Sequence, residues 1–189
     1  QPTFHLNGFR LKTTPSLHLI QGPITVCDGN AYAGDARMED LAPGQERLIS
    51  YALDIKTEVE PQVKIGPQDL LSVKIRKGTL QVTRKATEDK TYQVRNRDHK
   101  AKAVLVEHPF RADWELVEPK EASERTREVY RFLVSVGPDK TERLVVREQK
   151  RLSESIELVN AGLDLIAYYQ RSTQVSPKVK QALERMVQM

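Results

Sequence analysis

Apolar and polar residues alternate with a period of two along most of this chain, the rhythm of strands that bury one face and wet the other. The pattern is clearest between Thr91 and Glu148, where TYQVRNR, KAVLVEHP, VYRFLVSV and TERLVVRE are separated by polar breaks. In the third of these, Tyr130, Phe132, Val134 and Val136 share one face, and Arg131 and Ser135 lie on the other. Upstream, FHLNGFRLKTT carries an Asn7-Gly8 turn signal, LHLIQG reads as a short strand, and PITVCDGN ends in the reversal signal Asp28-Gly29. AYAGDARM follows, Pro43-Gly44 marks another turn, and ERLISYALDI places Ile49, Tyr51, Leu53 and Ile55 on one face. Elements this closely spaced leave no room for helical crossovers, so antiparallel pairing is expected.

Pro61, Gly66 and Pro67 punctuate the chain and suggest a boundary between two sheet units. DLLSVKIRKG then turns Leu71, Val73 and Ile75 one way and Ser72, Lys74 and Arg76 the other, with TLQVTRKA as its hairpin partner after Gly78. The polar stretch between Pro109 and Val129 contains one aromatic anchor, Trp114, and its part 118–128 reads as a loop or a short helix without an apolar stripe. Beyond Glu148, SIELV suggests a last short strand, and Asn160 is placed to cap a helix reaching about Arg171, with Leu163, Ile166 and Ala167 on one side. Ser176-Pro177 opens a second helix, whose Val179, Ala182, Leu183, Met186 and Val187 form a stripe that must be covered. The expected fold is therefore mainly β, with antiparallel immunoglobulin-like β-sandwich units and a small C-terminal two-helix appendage. Its divisions are expected at 1–66, 67–150 and 151–189, the helices packing on the sandwich or on each other, or on a second chain.

Composition narrows the function classes. A chain of 189 residues, 39% hydrophobic and 30% charged, can bury a core without covalent staples. Cys27 is the only cysteine, which excludes an internal disulfide, and no neighbouring Lys or His marks it as activated, so a structural filler is expected. No run of about 20 apolar residues is present, so a membrane-spanning helix is not expected. The first residue is Gln1 rather than methionine, which suggests a processed chain or a piece of a longer one. The net charge of +4 is unevenly spread, because residues 74–102 hold ten basic side chains against three acidic ones and the remainder is net acidic.

The succession from Asn7 to Ile55 resembles the domain of unknown function that forms the C-terminal half of mucoidy-inhibitor-A-like bacterial proteins. The residues that carry the resemblance are Leu17, Gly22, Pro23, Val26, Asp28, Gly29, Tyr32, Gly34, Asp35, Ala36, Arg37, Leu41, Pro43, Gly44 and Glu46. VRNRDHKAKAVLVEHP and PDKTERLVVRE are similar to later segments of that family, so the resemblance spans about Phe4 to Glu148. These are mostly turn and core residues. They imply a sandwich fold and a place in a larger bacterial protein of the periplasm or cell envelope, and they imply no reaction.

Candidate chemistry is sparse. Asp35 and Arg37, two residues apart, would share a strand face and are candidates for ligand binding, although a structural ion pair, or satisfaction of backbone groups at a sheet edge, is the favoured explanation. Gly34 beside them suggests a bulge or a close backbone approach. Glu107 and His108, with Asp113 and Trp114 beyond, form the one cluster that resembles a binding or acid-base site. Adjacent strand residues point to opposite faces, however, so the plainer reading makes His108 a solvated strand end and Trp114 a core plug. His5, His18 and His99 are scattered without metal-ligand spacing, and Asp28-Gly29-Asn30 lacks the ligands of a calcium loop, so no metal or cofactor is expected. Lys74, Arg76, Arg84, Lys85, Arg95 and Arg97 are candidates for a polyanion-binding surface, although solvated strand faces account for them as well, and aromatics for stacking on nucleic acid are nearly absent. The leading expectation is a non-catalytic structural or interaction module, with no specific small-molecule ligand, that meets a protein partner or itself through a sheet edge or the C-terminal helix. The alternative is binding of an acidic polysaccharide, anionic lipid or nucleic acid.

Overall fold

The computed structural model describes the backbone of residues 3–187, and the side chains of all these except 3, 4, 160, 186 and 187. The chain is mainly β. Among the described residues eleven strands run in the order β1 (Thr3–Lys12), β2 (Gly22–Asp28), β3 (Ala31–Met38), β4 (Glu46–Ile65), β5 (Asp69–Arg76), β6 (Thr79–Asn96), β7 (Lys102–Pro109), β8 (Glu115–Glu118), β9 (Glu124–Arg125), β10 (Val129–Val136) and β11 (Thr141–Glu157). Two helices close the chain, α1 (Leu163–Arg171) and α2 (Pro177–Val187). One sheet has the order β1-β4-β6-β11-β8 with β5 also paired to β6; β7-β10-β9 and β2-β3 form smaller sheets. The pairs β1/β4, β2/β3, β5/β6, β8/β11 and β9/β10 all run antiparallel.

Two compact units are assembled from non-consecutive pieces. The first takes 1–61, 92–105 and 133–144; the second takes 62–91, 106–132 and 145–189. Consecutive blocks at 1–66, 67–150 and 151–189 do not describe this division, because β4, β6, β7, β10 and β11 each contribute residues to both units. The first passage from one unit to the other falls after Pro61, and β4 continues through it without a break.

Several strands outgrow their sequence signals. TLQVTRKA and TYQVRNR merge into the 18-residue β6, and SIELV is the end of the 17-residue β11 rather than a separate strand. LHLIQG is no strand of its own: Leu19 makes an isolated bridge to Leu41, and Gly22 already belongs to β2. Asn7-Gly8 is no turn: it lies inside β1 at a register shift. Asp28-Gly29 and Pro43-Gly44 do reverse the chain, and Gly29 (φ +60°) and Gly44 (φ +74°) take the left-handed conformation such turns favour. Segment 118–128 forms no helix; β8 ends at its first residue and the two-residue β9 lies within it.

In the second unit a core forms from Val73, Leu80 and Val82 on the β5-β6 hairpin, Leu158, Ile166 and Tyr169 around α1, and Val175 and Leu183 around α2. The α2 stripe thus packs within the chain through Val179 and Leu183, while the side chains of Met186 and Val187 lie outside the described residues. Arg84 donates from Nη2 to the Tyr169 hydroxyl at 3.0 Å, tying α1 to β6. Val175 bridges to Val73, so the connection between the helices shields the outer edge of β5. Helix α1 begins after Gly162, not Asn160, which belongs to a short 3-10 turn. Leu71 is 40% exposed rather than inward, because it is the extra residue of a bulge between Leu70 and Ser72 and leaves Leu70 to face the core.

Candidate functional site

In the first unit, two interruptions of the β1/β4 ladder decide which side chains face water. Asn7 pairs with Ala52 and Gly8 with Ser50, so Tyr51 has no opposite number. One extra residue reverses the phase of everything that follows. Ile49 is buried before the bulge; after it Asp54 is buried, while Leu53 (57%) and Ile55 (67%) are exposed. The expectation that Ile49, Tyr51, Leu53 and Ile55 share one buried face is therefore overturned by a single-residue bulge. Leu6, directly across from Leu53, is 62% exposed, and the three side chains form an apolar strip on the outside of β1-β4.

The bulge is held from β3. Gly34 has φ +153°, and a Cβ there would lie 2.4 Å from the Tyr51 carbonyl oxygen, so only glycine allows this approach. Phe9 meets the Tyr51 ring at 6.1 Å between centroids. The close approach expected of Gly34 is thus explained by the residue that bulges.

Beneath the strip the reversed phase buries charge. Lys102 donates from Nζ to both Asp54 oxygens at 3.0 and 2.8 Å, Thr57 donates to Asp54 Oδ2 at 2.7 Å, and the Lys56 amide donates to Oδ1 at 3.0 Å. Burial pushes the Asp54 carboxyl up, but these donors outweigh it and hold it below the ordinary carboxylate range. His5 lies opposite Asp54, and burial lowers its pKa against the attraction of that carboxylate. The phase shift that places Asp54 inside leaves no direct mark in the local alternation, since its neighbours Leu53 and Ile55 are the apolar residues there.

Asp35 and Arg37 are both exposed on β3. The ion pair between them does not form: Asp35 instead accepts from Thr25 at 3.0 Å and from the Tyr32 hydroxyl at 2.7 Å. Cys27 is exposed and not a core filler.

In the second unit, Glu107, His108 and Asp113 do not converge. Glu107 is exposed and accepts from Arg131 Nε at 2.9 Å, and Asp113 accepts from Lys150 at 3.3 Å. His108, expected at a solvated strand end, is only 2% exposed, because β7 runs on to Pro109 and the alternation through Val106 carries the ring inward. It meets Glu148, 1% exposed, with Nε2 3.0 Å from Oε2. Burial lowers the His108 pKa, opposed by Glu148 and assisted by Lys90 and Arg111, so the ring is neutral at pH 7. A carboxylate only accepts, so Nε2 carries the proton and donates. Arg111 donates to the same Glu148 oxygen and pairs with Glu88 at 2.9 Å, while Glu148 Oε1 is buried without a partner. Glu148 was legible in principle, since the inward phase of Leu144 and Val146 extends to it.

Trp114 is half-buried rather than a core plug: the Arg111 guanidinium sits 4.0 Å from its ring centroid and Lys150 Nζ 4.9 Å. A cleft of about 260 Å³ nearby is lined by Leu71, Lys85, Asp113, Glu115, Lys150 and Arg151, among others, and most of its charged groups are already paired. The six basic candidates differ in their surroundings. Arg84 is turned in to Tyr169, Lys85 pairs with Asp69 at 3.2 Å and Arg97 with Glu58 at 2.8 Å. Lys74, Arg76 and Arg95 are exposed, the first two in the second unit and the third in the first.

Among the described residues, no group of three or more His, Cys, Asp or Glu side chains could hold a metal ion, and no helix is long and apolar enough to cross a membrane. No protein-family model, curated protein or solved structure matches the chain.

Proposed function

We propose that this chain is a non-catalytic interaction module, and that it meets a protein partner through the outer face of β1-β4 in the first unit. The observation that carries the reading is the strip formed by Leu6, Leu53 and Ile55, three large apolar side chains each more than half exposed on adjacent strands. Single exposed leucines are ordinary on protein surfaces; a contiguous group, held outward by a bulge that only glycine at position 34 permits, is a feature that binding would explain. Paired charges follow Ile55 along β4, Lys56 with Asp98 and Glu58 with Arg97, and such pairs suit the polar rim of a contact. The resemblance to mucoidy-inhibitor-A-like proteins supports an immunoglobulin-like module and a setting in a larger bacterial envelope-associated protein.

The experiment places the photoreactive residue p-benzoylphenylalanine at Ile55 in cells that express the chain, with a second probe at the exposed Glu142 as control. A discrete crosslinked species at position 55, absent at 142 and lost on Leu6→Asp, is expected. Equal, diffuse crosslinking at both positions overturns the reading. A second reading, polyanion binding, rests on exposed Lys74 and Arg76 on β5; retention on heparin that falls steeply with salt and is lost in Lys74→Ala/Arg76→Ala would favour it.

A further inference from the structure

We propose that His108 is an acid-sensitive latch in the second unit, whose protonation loosens Arg111 and Trp114, in the connection between β7 and β8, from the sheet. The geometry points to a competition for one oxygen atom. Glu148 Oε2 accepts from His108 Nε2 at 3.0 Å and from Arg111 Nε at 3.1 Å, with Arg111 Nη2 directed at the same oxygen. Its other oxygen is buried and has no partner, so the carboxylate holds both donors through a single atom.

The neutral ring tolerates this arrangement because it adds no charge. The charged groups facing it are Glu148 on β11, Lys90 on β6 and Arg111 on the connection; Glu107, its neighbour on β7, points away to Arg131. Protonation places a second cation at the oxygen Arg111 already uses, with Lys90 nearby, in a site from which water is largely excluded. Arg111 already pairs with Glu88 at 2.9 Å, so a guanidinium that loses Glu148 stays anchored there and is free to turn about that contact, out of its position over the Trp114 ring. The His108 side chain thus controls a contact made two steps away, at the chain's only tryptophan.

The direction in pH follows from linkage. Burial holds the His108 pKa below its ordinary value of 6.5, so the open form binds more protons in the interval beneath that value. The closed latch is therefore most stable above about pH 6.5 and weakens as the pH falls toward the lowered pKa.

Because Trp114 is the sole tryptophan, its emission reports the latch directly. Titration of the intact chain from about pH 7.5 to about pH 4.5 is expected to change the emission in one protonation step with a midpoint below the ordinary histidine value. His108→Gln keeps a donor toward Glu148 without a titrating group and is expected to abolish the step, while His5→Gln, which removes the other histidine whose pKa burial lowers, leaves it in place. Ring-carbon NMR of His108 in the wild-type chain gives a second measurement that needs no variant, and should titrate with the same midpoint. No emission step, a step that survives His108→Gln, or a His108 ring that titrates at its ordinary value would each overturn the proposal.

Discussion

Replacing Gly34 with alanine tests the device that sets the outward face of β1-β4. The added methyl has two costs. The φ of +153° lies where side-chain-bearing residues are strained, which by itself is about 1 to 3 kcal/mol. The new Cβ would also sit 2.4 Å from the Tyr51 carbonyl oxygen and 3.1 Å from its ring, and a backbone oxygen on a paired strand cannot rotate aside as a side chain would. The two strands must separate, and the total is expected to reach about 3 kcal/mol or more. Gly29 provides the comparison. It too has positive φ, at +60°, but a Cβ there meets nothing within 4 Å, so Gly29→Ala should cost only about 1 kcal/mol. Urea unfolding of both variants, followed by circular dichroism and by Trp114 emission, measures the difference. Equal costs at the two positions would refute the claim that β3 presses on the bulged Tyr51.

Other expectations follow from the same contacts. Lys102→Met leaves the buried Asp54 carboxylate without its cation and should cost about 2 to 3 kcal/mol, at or just below the bottom of the range for a broken buried pair because Lys102 is partly exposed. Asp54 titrates below its ordinary value of 3.8, so its contribution is present above that value and lost as the pH falls through the lowered one. In Lys102→Met, burial prevails and acid unfolding should begin at higher pH; an unchanged onset would contradict the assignment. Leu183→Ala removes a fully buried side chain where α2 meets the β5-β6 hairpin and should cost about 2 to 5 kcal/mol in thermal or urea unfolding. A loss below about 0.5 kcal/mol would mean that the helix does not pack there.

Much of the strand framework was legible in the alternation of residues. KAVLVEHP and VYRFLVSV are β7 and β10 residue for residue, and Ser176-Pro177 marks the start of α2. Bulges were not legible, because a strand keeps its residue types while the ladder slips by one. At Tyr51 and Leu71 such slips sent apolar residues outward and changed which side chains form the surface. Glycine was the available signal: Gly34 was recognisable as a close approach, but the sequence does not name the strand it approaches. The buried clusters escaped for a different reason. Asp54 with Lys102, and Glu148 with His108 and Arg111, join residues about 40 or more positions apart, and only the folded sheets bring them together. The division into units was obscured in the same way, since two-unit strands such as β6 and β11 carry no punctuation where one unit gives way to the other.

The central claim is that the bulge at Tyr51 turns Leu53 and Ile55 toward solvent and leaves Ile49 inside. Thiol labelling measures this most directly, in a Cys27→Ser background because Cys27 is itself exposed. Under native conditions Leu53→Cys and Ile55→Cys should react with a maleimide at close to the rate of a free thiol, and Ile49→Cys only on unfolding. Protection at 53 and 55 equal to that at 49 would mean that β4 keeps a single phase, and that the proposed contact face is buried.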